Sequence, residues 1–430
     1  MMELGESSPR PLFFFLFSFF YPQFKEVIQR SFSNKMGGDY EMESQRIARL
    51  TRDAFLKEPL FEGFTDIRKR PQIRLQAILM SLYTMPLFGR RSLLSNDRQA
   101  RSSHYKKLFG SQRKMVASDS TFARVLKWLY PQQVKQFLLG FLAKFEQRDM
   151  LRKRLSAKGR LRRLGILDGS YMGGHWLVTL CLAGKIDNPV MVERCDHQGQ
   201  EQLVARKMMQ AAEKVLGKLR PELWLLDALY FNRNTIAIAR GQQAHVVFKF
   251  KDADYRTVTA DASNLFQHFG GDEELSGWDS ERGCRWKLRK TLDRFAHYPV
   301  QVVHLIETYP KGRGNRTVTS WIVTTDLELP LEEVREAAHQ RWQIENGVFK
   351  RISHLAGTKS FYFKDHRQFF NLLRLFFAAM AVLDCIMWLL RAHTLLFAAL
   401  RFGIKDTWLN VFSCIDEVLG WLPCAFAALV

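Results

Sequence analysis

The chain has 430 residues, long enough for two or three domains, and its 47% hydrophobic and 25% charged residues exclude a disordered chain. Its formal charge of +21 is the unusual feature, and residues 51–160 alone carry 24 Lys+Arg against 8 Asp+Glu. A block of that sign and density points to a polyanion partner, most simply DNA or RNA, with a plain basic protein as the bland alternative.

The six cysteines (Cys181, Cys195, Cys284, Cys385, Cys414, Cys424) include no C-x-x-C pair and no nearby His at zinc spacing. That argues against a structural zinc and for a reducing cytosol.

From the N-terminus, the apolar run Leu12–Phe20 falls far short of the ~20 residues of a membrane span, and no small-residue cleavage site follows it. Residues 1–35 read as an extension upstream of the folded protein. Residues 36–160 read as helical and basic. Apolar residues recur at helical spacing in RLQAILMSLYTM and VKQFLLGFLAKF, and Ser118-Asp119-Ser120 offers a cap for a short amphipathic helix, Thr121–Leu129. Arg113, Lys114, Arg124 and Lys127 flank that helix and are the candidate DNA contacts. The proportions suit a helix-turn-helix, with a plain helical bundle as the alternative. A very basic connector, LRKRLSAKGRLRR, follows.

Beyond it the pattern changes to short buried-strand runs alternating with helices. Strands are expected at Leu164–Leu167, Leu177–Ala183, Pro189–Glu193, Leu223–Leu226 and His245–Phe250, and helices at Gln200–Leu219 and Asn232–Arg240. This is a mixed α/β sheet covered by helices. Residues 251–317 are too long for a loop and read as an inserted, mostly β segment before a strand at Val318–Thr324. Asp326, Pro330, Glu332 and Glu333 then announce a helix running toward Gly357. Val334, Ala338, Trp342, Phe349, Ile352 and Leu355 mark its apolar face, and Arg341 and Glu345 lie four apart along the edge of that face. Phe369–Phe402 reads as a buried core helix, because Arg374, Asp384, Arg391 and Arg401 interrupt its apolar run. No membrane span is expected.

Two strand runs end on an acid: LGILD at Asp168 and LWLLD at Asp227. Ligands of α/β sheets sit at the carboxyl ends of strands, although a lone Asp there is often a turn residue. Glu345 adds a third acid, unless it is only the intrahelical partner of Arg341. Three carboxylates cannot share one dry site without a countercharge. Divalent cations with hard oxygen ligands supply one, and paired metals serve phosphoryl transfer. No G-x-S-x-G elbow or Walker loop competes, and His175 and His197 are weaker candidates as general bases.

These residues resemble the DDE transposases of bacterial insertion sequences, in the group whose ribonuclease H-like core carries a β-rich insertion. The matching motifs are LDGSY at Asp168, LLDALYFN at Asp227 and RWQIENGVFK at Glu345, spaced 59 and 118 residues apart. SDSTFARVL at Ser118 is similar to the segment preceding the catalytic domain in such proteins. The resemblance covers roughly residues 100–375.

The resemblance implies Asp168, Asp227 and Glu345 as catalytic ligands of two Mg²⁺ ions, with Mn²⁺ able to substitute. It implies Arg341 as a phosphate contact. The signature also places Tyr three residues before that Arg and Lys seven after the Glu, where this chain has Ala338 and Ile352. Lys350 and Arg351 lie near the latter and are further candidate DNA contacts in the role of that Lys. The implied layout is an uncertain extension (1–35), a helical basic DNA-binding region (36–160), a ribonuclease H-like core (161–250 and 318–375), a β-rich insertion (251–317) and a C-terminal helical region (376–430). The implied activity is metal-dependent cleavage of element ends, then 3′-OH attack on target double-stranded DNA, by a cytoplasmic homodimer on paired ends. The alternative is a catalytically inactive DNA-binding protein derived from the same fold.

Overall fold

The computed structural model describes residues 61–86, 90–100, 117–251, 256–311, 314–342, 344–358, 363 and 365–391. The N-terminal part is helical: α1 (Leu75–Tyr83), α2 (Leu93–Ala100), α3 (Asp119–Trp128), α4 (Pro131–Gly140) and α5 (Leu142–Glu146). Helix α3 starts where its cap is expected, with Ser118 Oγ accepting from the Thr121 N–H at 3.3 Å. Its inward residues Phe122, Val125 and Leu126 are buried. Aromatic contacts among Phe61, Phe64, Tyr83, Phe137 and Phe141 tie the preceding segment to α1 and α4.

The basic connector forms a two-residue hairpin, β1 (Lys153–Arg154) with β2 (Leu161–Arg162). Much of its charge is consumed internally. Arg162 Nη1 meets Asp326 Oδ2 at 2.6 Å with both side chains buried, and Arg163 meets Glu146 at 3.1 Å. Asp326, expected as a helix-start residue, therefore anchors the connector, and the helix it precedes has Pro330 at its cap without a side-chain cap bond.

One sheet of nine strands organises the rest, in the order β5-β4-β3-β6-β7-β11-β10-β9-β8. Strands β3 (Leu164–Met172), β4 (His175–Ala183) and β5 (Asp187–Cys195) form an antiparallel meander. Helix α6 (Glu201–Leu216) leads to β6 (Leu223–Asp227), parallel to β3, and α7 (Arg233–Gly241) leads to β7 (His245–Phe250), parallel to β6. Both helices pack on the sheet and on each other. Trp224, Leu225 and Leu226 of β6 are buried because strands in parallel neighbourhoods are covered on both faces.

The segment after β7 contributes helix α8 (Arg256–Phe269) and then β8 (Glu273–Asp279), β9 (Cys284–Phe295), β10 (Tyr298–Lys311) and β11 (Gly314–Thr324). These strands extend the same sheet, since β11 pairs with β7. The region expected as a separate β insertion is thus continuous with the main sheet and includes a helix. Helix α9 (Leu331–Gln340) lies against β6, β7 and β11. A π-helical turn (Ile344–Phe349) and α10 (Lys350–Ala356) follow, and α10 ends at Gly357 in the left-handed conformation, φ 63°. Helix α11 (His366–Arg391) packs on β5 and on α1, α3 and α4, uniting the N-terminal helices with the sheet. Asn371 on its buried face donates to the Leu126 and Leu129 carbonyls. Among the described residues no helix is long and apolar enough to cross a membrane. The expected continuation of α11 beyond residue 391 lies outside the described residues, as do residues 1–60.

Candidate active site

The parallel pairing of β3 with β6 runs from Leu164–Leu223 to Ile166–Leu225. Continued by two residues, that register sets Asp168 beside Asp227 on the same side of neighbouring strands. Strand β6 stops at Asp227. Strand β3 does not stop at Asp168 as expected but continues to Met172, because β4 pairs with it through Met172–His175. The two acids therefore sit where two parallel strands part, the place where α/β sheets collect their ligands. Asp168 is buried, whereas the Asp227 side chain is 43% exposed.

Glu345 and Arg341 reach these acids from α9 and the turn beyond it. The expected single helix is broken here. Helix α9 ends at Gln340, and the π turn then gives the chain one residue more per turn than an α-helix. Trp342, expected on the apolar side, is 45% exposed, while Ile344, Val348, Phe349 and Ile352 are buried. Gly347 allows the close approach to β5, since a Cβ there would meet Asp187 Oδ2 at 2.8 Å.

The guanidinium of Arg341 lies among all three acids. Nη1 is 3.4 Å from Glu345 Oε1 and 3.8 Å from Asp168 Oδ2, and Nη2 is 3.9 Å from Asp227 Oδ1. The intrahelical pair and the inward-facing acid are thus one arrangement, and its cation is 7% exposed. Burial pushes the Asp168 carboxyl up, Arg341 pulls it down, and the charges of Glu345 and Asp227 raise it again, to about 7. One guanidinium does not balance three carboxylates.

Two further residues, Tyr230 and Glu201, lie beside this site and were not singled out from sequence. Tyr230 closes the short 3₁₀ turn after Asp227, is buried, and its Oη has no hydrogen-bond partner. Burial and the charges of Asp168, Glu201 and Asp227 hold its phenol well above the usual tyrosine range. Glu201, buried in the first turn of α6, accepts from the Gly199 N–H at 2.7 Å. Asp187 belongs to a neighbouring cluster: it opens β5 in a buried position beside Arg351 and Asp384, and burial with the charge of Asp384 pushes its carboxyl up to about 6. The aromatic three residues after a strand-ending Asp was the available signal for Tyr230. For Glu201 and Asp187 no local pattern separates a buried acid from a solvated one.

By chemistry the three acids suit a hard divalent cation: all donors are carboxylate oxygens, and together they exceed their one counter-cation. By geometry they gather around Arg341. Among the described residues no three His, Cys, Asp or Glu side chains are grouped so as to hold a metal ion as they stand.

The candidate DNA contacts divide. Arg113 and Lys114 lie outside the described residues. Arg124 and Lys127 are exposed on α3, Lys127 within 3.8 Å of Asp365. Arg124 helps line a groove of about 500 Å³ between α3 and the segment Ile67–Ile73, whose other lining residues include Arg68, Lys69, Arg70 and Trp128. Arg68 is committed to Asp66 and to the Ile73 carbonyl. Lys69 and Arg70 are exposed, and the 41%-exposed Trp128 adds an aromatic surface. Lys350 is exposed and bonds Asn346. Arg351 corrects the sequence expectation. Instead of reaching outward it binds Asp384 of α11 through Nη1 at 2.6 Å, and both side chains are largely buried. Ala338 and Ile352, where the transposase signature has Tyr and Lys, are core residues 1% and 0% exposed.

No family model matches the chain, and no curated protein matches it. Among solved structures it is similar to the piggyBac transposase of a synaptic complex with hairpin DNA, with a TM-score of 0.40 and 8% identity over 89% of this chain and 81% of that one.

Proposed function

We propose that this chain is a DNA transposase of the DDE type, cutting element ends and joining them to target DNA by successive phosphoryl transfers. The observation that carries the reading is the convergence of Asp168, Asp227 and Glu345, 59 and 118 residues apart in sequence, on the single guanidinium of Arg341 where two parallel strands part. A ribonuclease H-like reading of the core draws support from its topology, an antiparallel meander followed by two parallel strands on the far side of β3.

Asp168, Asp227 and Glu345 would hold two Mg²⁺ or Mn²⁺ ions. When bound, such a pair activates the attacking oxygen and neutralises the leaving one. Burial and the neighbouring acids push the Asp168 carboxyl up to about 7, so its proton would have to leave for it to act as a metal ligand. Arg341, whose buried Nε has no hydrogen-bond partner among the described residues, would donate to a phosphate oxygen of the DNA. Water attacks the phosphodiester and the 3′-oxygen leaves. The freed 3′-OH then attacks a target phosphodiester in the same way, so no covalent protein intermediate forms. The basic groove at α3, with Lys69, Arg70 and Arg124, is where the backbone of the DNA end would lie.

The test is cleavage of duplex DNA carrying the ends that flank the coding region, with Mg²⁺ or Mn²⁺, by wild type and Asp168→Ala. Metal-dependent nicking by wild type alone supports the reading. Tight, metal-independent binding without nicking by either protein refutes it in favour of a non-catalytic DNA-binding protein.

A further inference from the structure

The row of acids at the parting strands continues onto β7 as a lysine. Register pairs Asp227 with Lys249 on parallel neighbours, as it sets Asp168 beside Asp227. Asp168, Asp227 and Lys249 therefore stand at one level on the same face of three adjacent strands. Phe248 and Phe250, on either side of Lys249, turn to the opposite face and pack on Phe231. Lys249 itself faces the side covered by α9, from which Arg341 reaches the acids.

The surroundings of this lysine are unusual. Its side chain is half-buried, and the charges acting on its ammonium are one acid, Glu307, and three guanidiniums, those of Arg341, Arg335 and Arg282. Burial is the largest effect and lowers its pKa, Glu307 raises it, and the arginines lower it again. Glu307 is already committed to Arg335 and His339. Among the described residues Lys249 forms no ion pair. A water molecule can solvate the ammonium but brings no countercharge, so a half-buried cation among cations costs free energy that an incoming anion would recover. Asp227 beside it is 43% exposed, so this end of the row is open to solvent.

We propose that Lys249 is a phosphate contact of the acid row, its ammonium pairing with a backbone phosphate of the DNA strand that lies over Asp168 and Asp227. The inference rests on the proposed DNA-cutting function and deepens it by naming a second cation, beside Arg341, that holds the strand. A lysine serves such a contact as a compact point charge with three donors, which needs no fixed geometry of the phosphate.

The test measures binding of wild type, Lys249→Met, Lys249→Gln and Lys218→Met to duplex DNA carrying the flanking ends, in EDTA, across a range of salt concentrations. Lys218 is exposed and precedes β6, at the end of that strand remote from Asp227, so its replacement removes the same charge away from the row. Both Lys249 variants are expected to lower the slope of log affinity against log salt by about 1 and to bind about 5- to 10-fold more weakly near 0.1 M salt, with Lys218→Met unchanged. The slope decides, because a loss of folded protein lowers the apparent affinity alike at every salt concentration. An unchanged slope in the Lys249 variants overturns the inference, assigns the lysine to the Glu307 clamp and leaves the proposed function standing. An equal fall in Lys218→Met also overturns it, since the effect would then belong to the general charge of the protein. If wild type binds the DNA without salt dependence, or not at all, the inference and the proposed function fall together.

Discussion

Replacing Glu307 by Gln should loosen the helix that delivers Arg341. Glu307 on β10 is 3% exposed and accepts from Arg335 Nε at 3.0 Å and Nη2 at 2.6 Å, with His339 Nε2 at 2.9 Å. Arg335 also meets Asp279 at 2.9 Å, which in turn binds Arg282 at 2.8 Å. Two acids from the extended strands thus clamp α9 one turn before Arg341. Burial alone would raise the Glu307 carboxyl, but His339 and Arg335 overcome it and hold it at about 2, against 4.5 ordinarily. At 1.36 kcal/mol per pH unit, that depression corresponds to about 3 kcal/mol. The folded-state value is depressed, so the contribution is fully present above pH 4.5 and is lost as pH falls through about 2. Urea denaturation at pH 7 should place Glu307→Gln about 3 kcal/mol below wild type, in line with removing one partner of a buried pair. The difference should shrink steadily below pH 4.5. A difference under 1 kcal/mol at pH 7, or one unchanged between pH 7 and 3, would refute the clamp.

Asp384→Ala strands the buried Arg351 and should cost about 3–5 kcal/mol in denaturation, whereas the double change Arg351→Met with Asp384→Leu should recover most of it. An Arg351→Met protein of normal stability but weakened DNA affinity would instead make that residue a DNA contact. Lys69→Ala with Arg124→Ala should weaken duplex binding across all sequences and lower the salt slope by about 2, read from affinity against salt concentration. An unchanged slope would take the groove out of the DNA path. Arg341→Met removes the counter-cation, so the metal-free protein should melt lower at pH 8 than wild type and regain stability in Mn²⁺. If Mn²⁺ does not restore it, the three acids do not form a shared cation site.

Hydrophobic periodicity made the sheet core legible. The runs at Leu164, Leu177, Leu223 and His245 are strands because buried parallel and central strands read as unbroken apolar stretches. Strands β8 and β9 were not legible individually, since their faces alternate between half-buried and exposed positions and carry Arg and Lys paired across strands to Glu273 and Glu274. The three acids could be picked from strand ends and helix spacing. The π turn could not, because periodicity assumes 3.6 residues per turn and such a turn leaves no compositional mark. Arg351 was misjudged for a related reason. It was offered for the Lys role because it lies next to Ile352 in sequence, whereas its partner Asp384 lies 33 residues away on another helix.

The position of Arg341 explains how three acids can fold together where the two parallel strands part. Asp168, Asp227 and Glu345 come from three segments whose packing is fixed by the sheet and by α9, so their mutual repulsion cannot be relieved by moving apart. Without a counter-cation, Asp168 in particular would have to stay protonated, being buried beside two other acids. The guanidinium at 3.4–3.9 Å from all three offsets part of that repulsion at contacts too long and too poorly aligned to be strong hydrogen bonds. Arg335 fixes Glu307 through two short contacts to one oxygen, whereas Arg341 spreads its charge over three acids without fixing any of them. The same sequence thus contains two arginine–acid clusters within two helical turns of one another, the tighter one clamping the helix and the looser one balancing the acids at the parting strands.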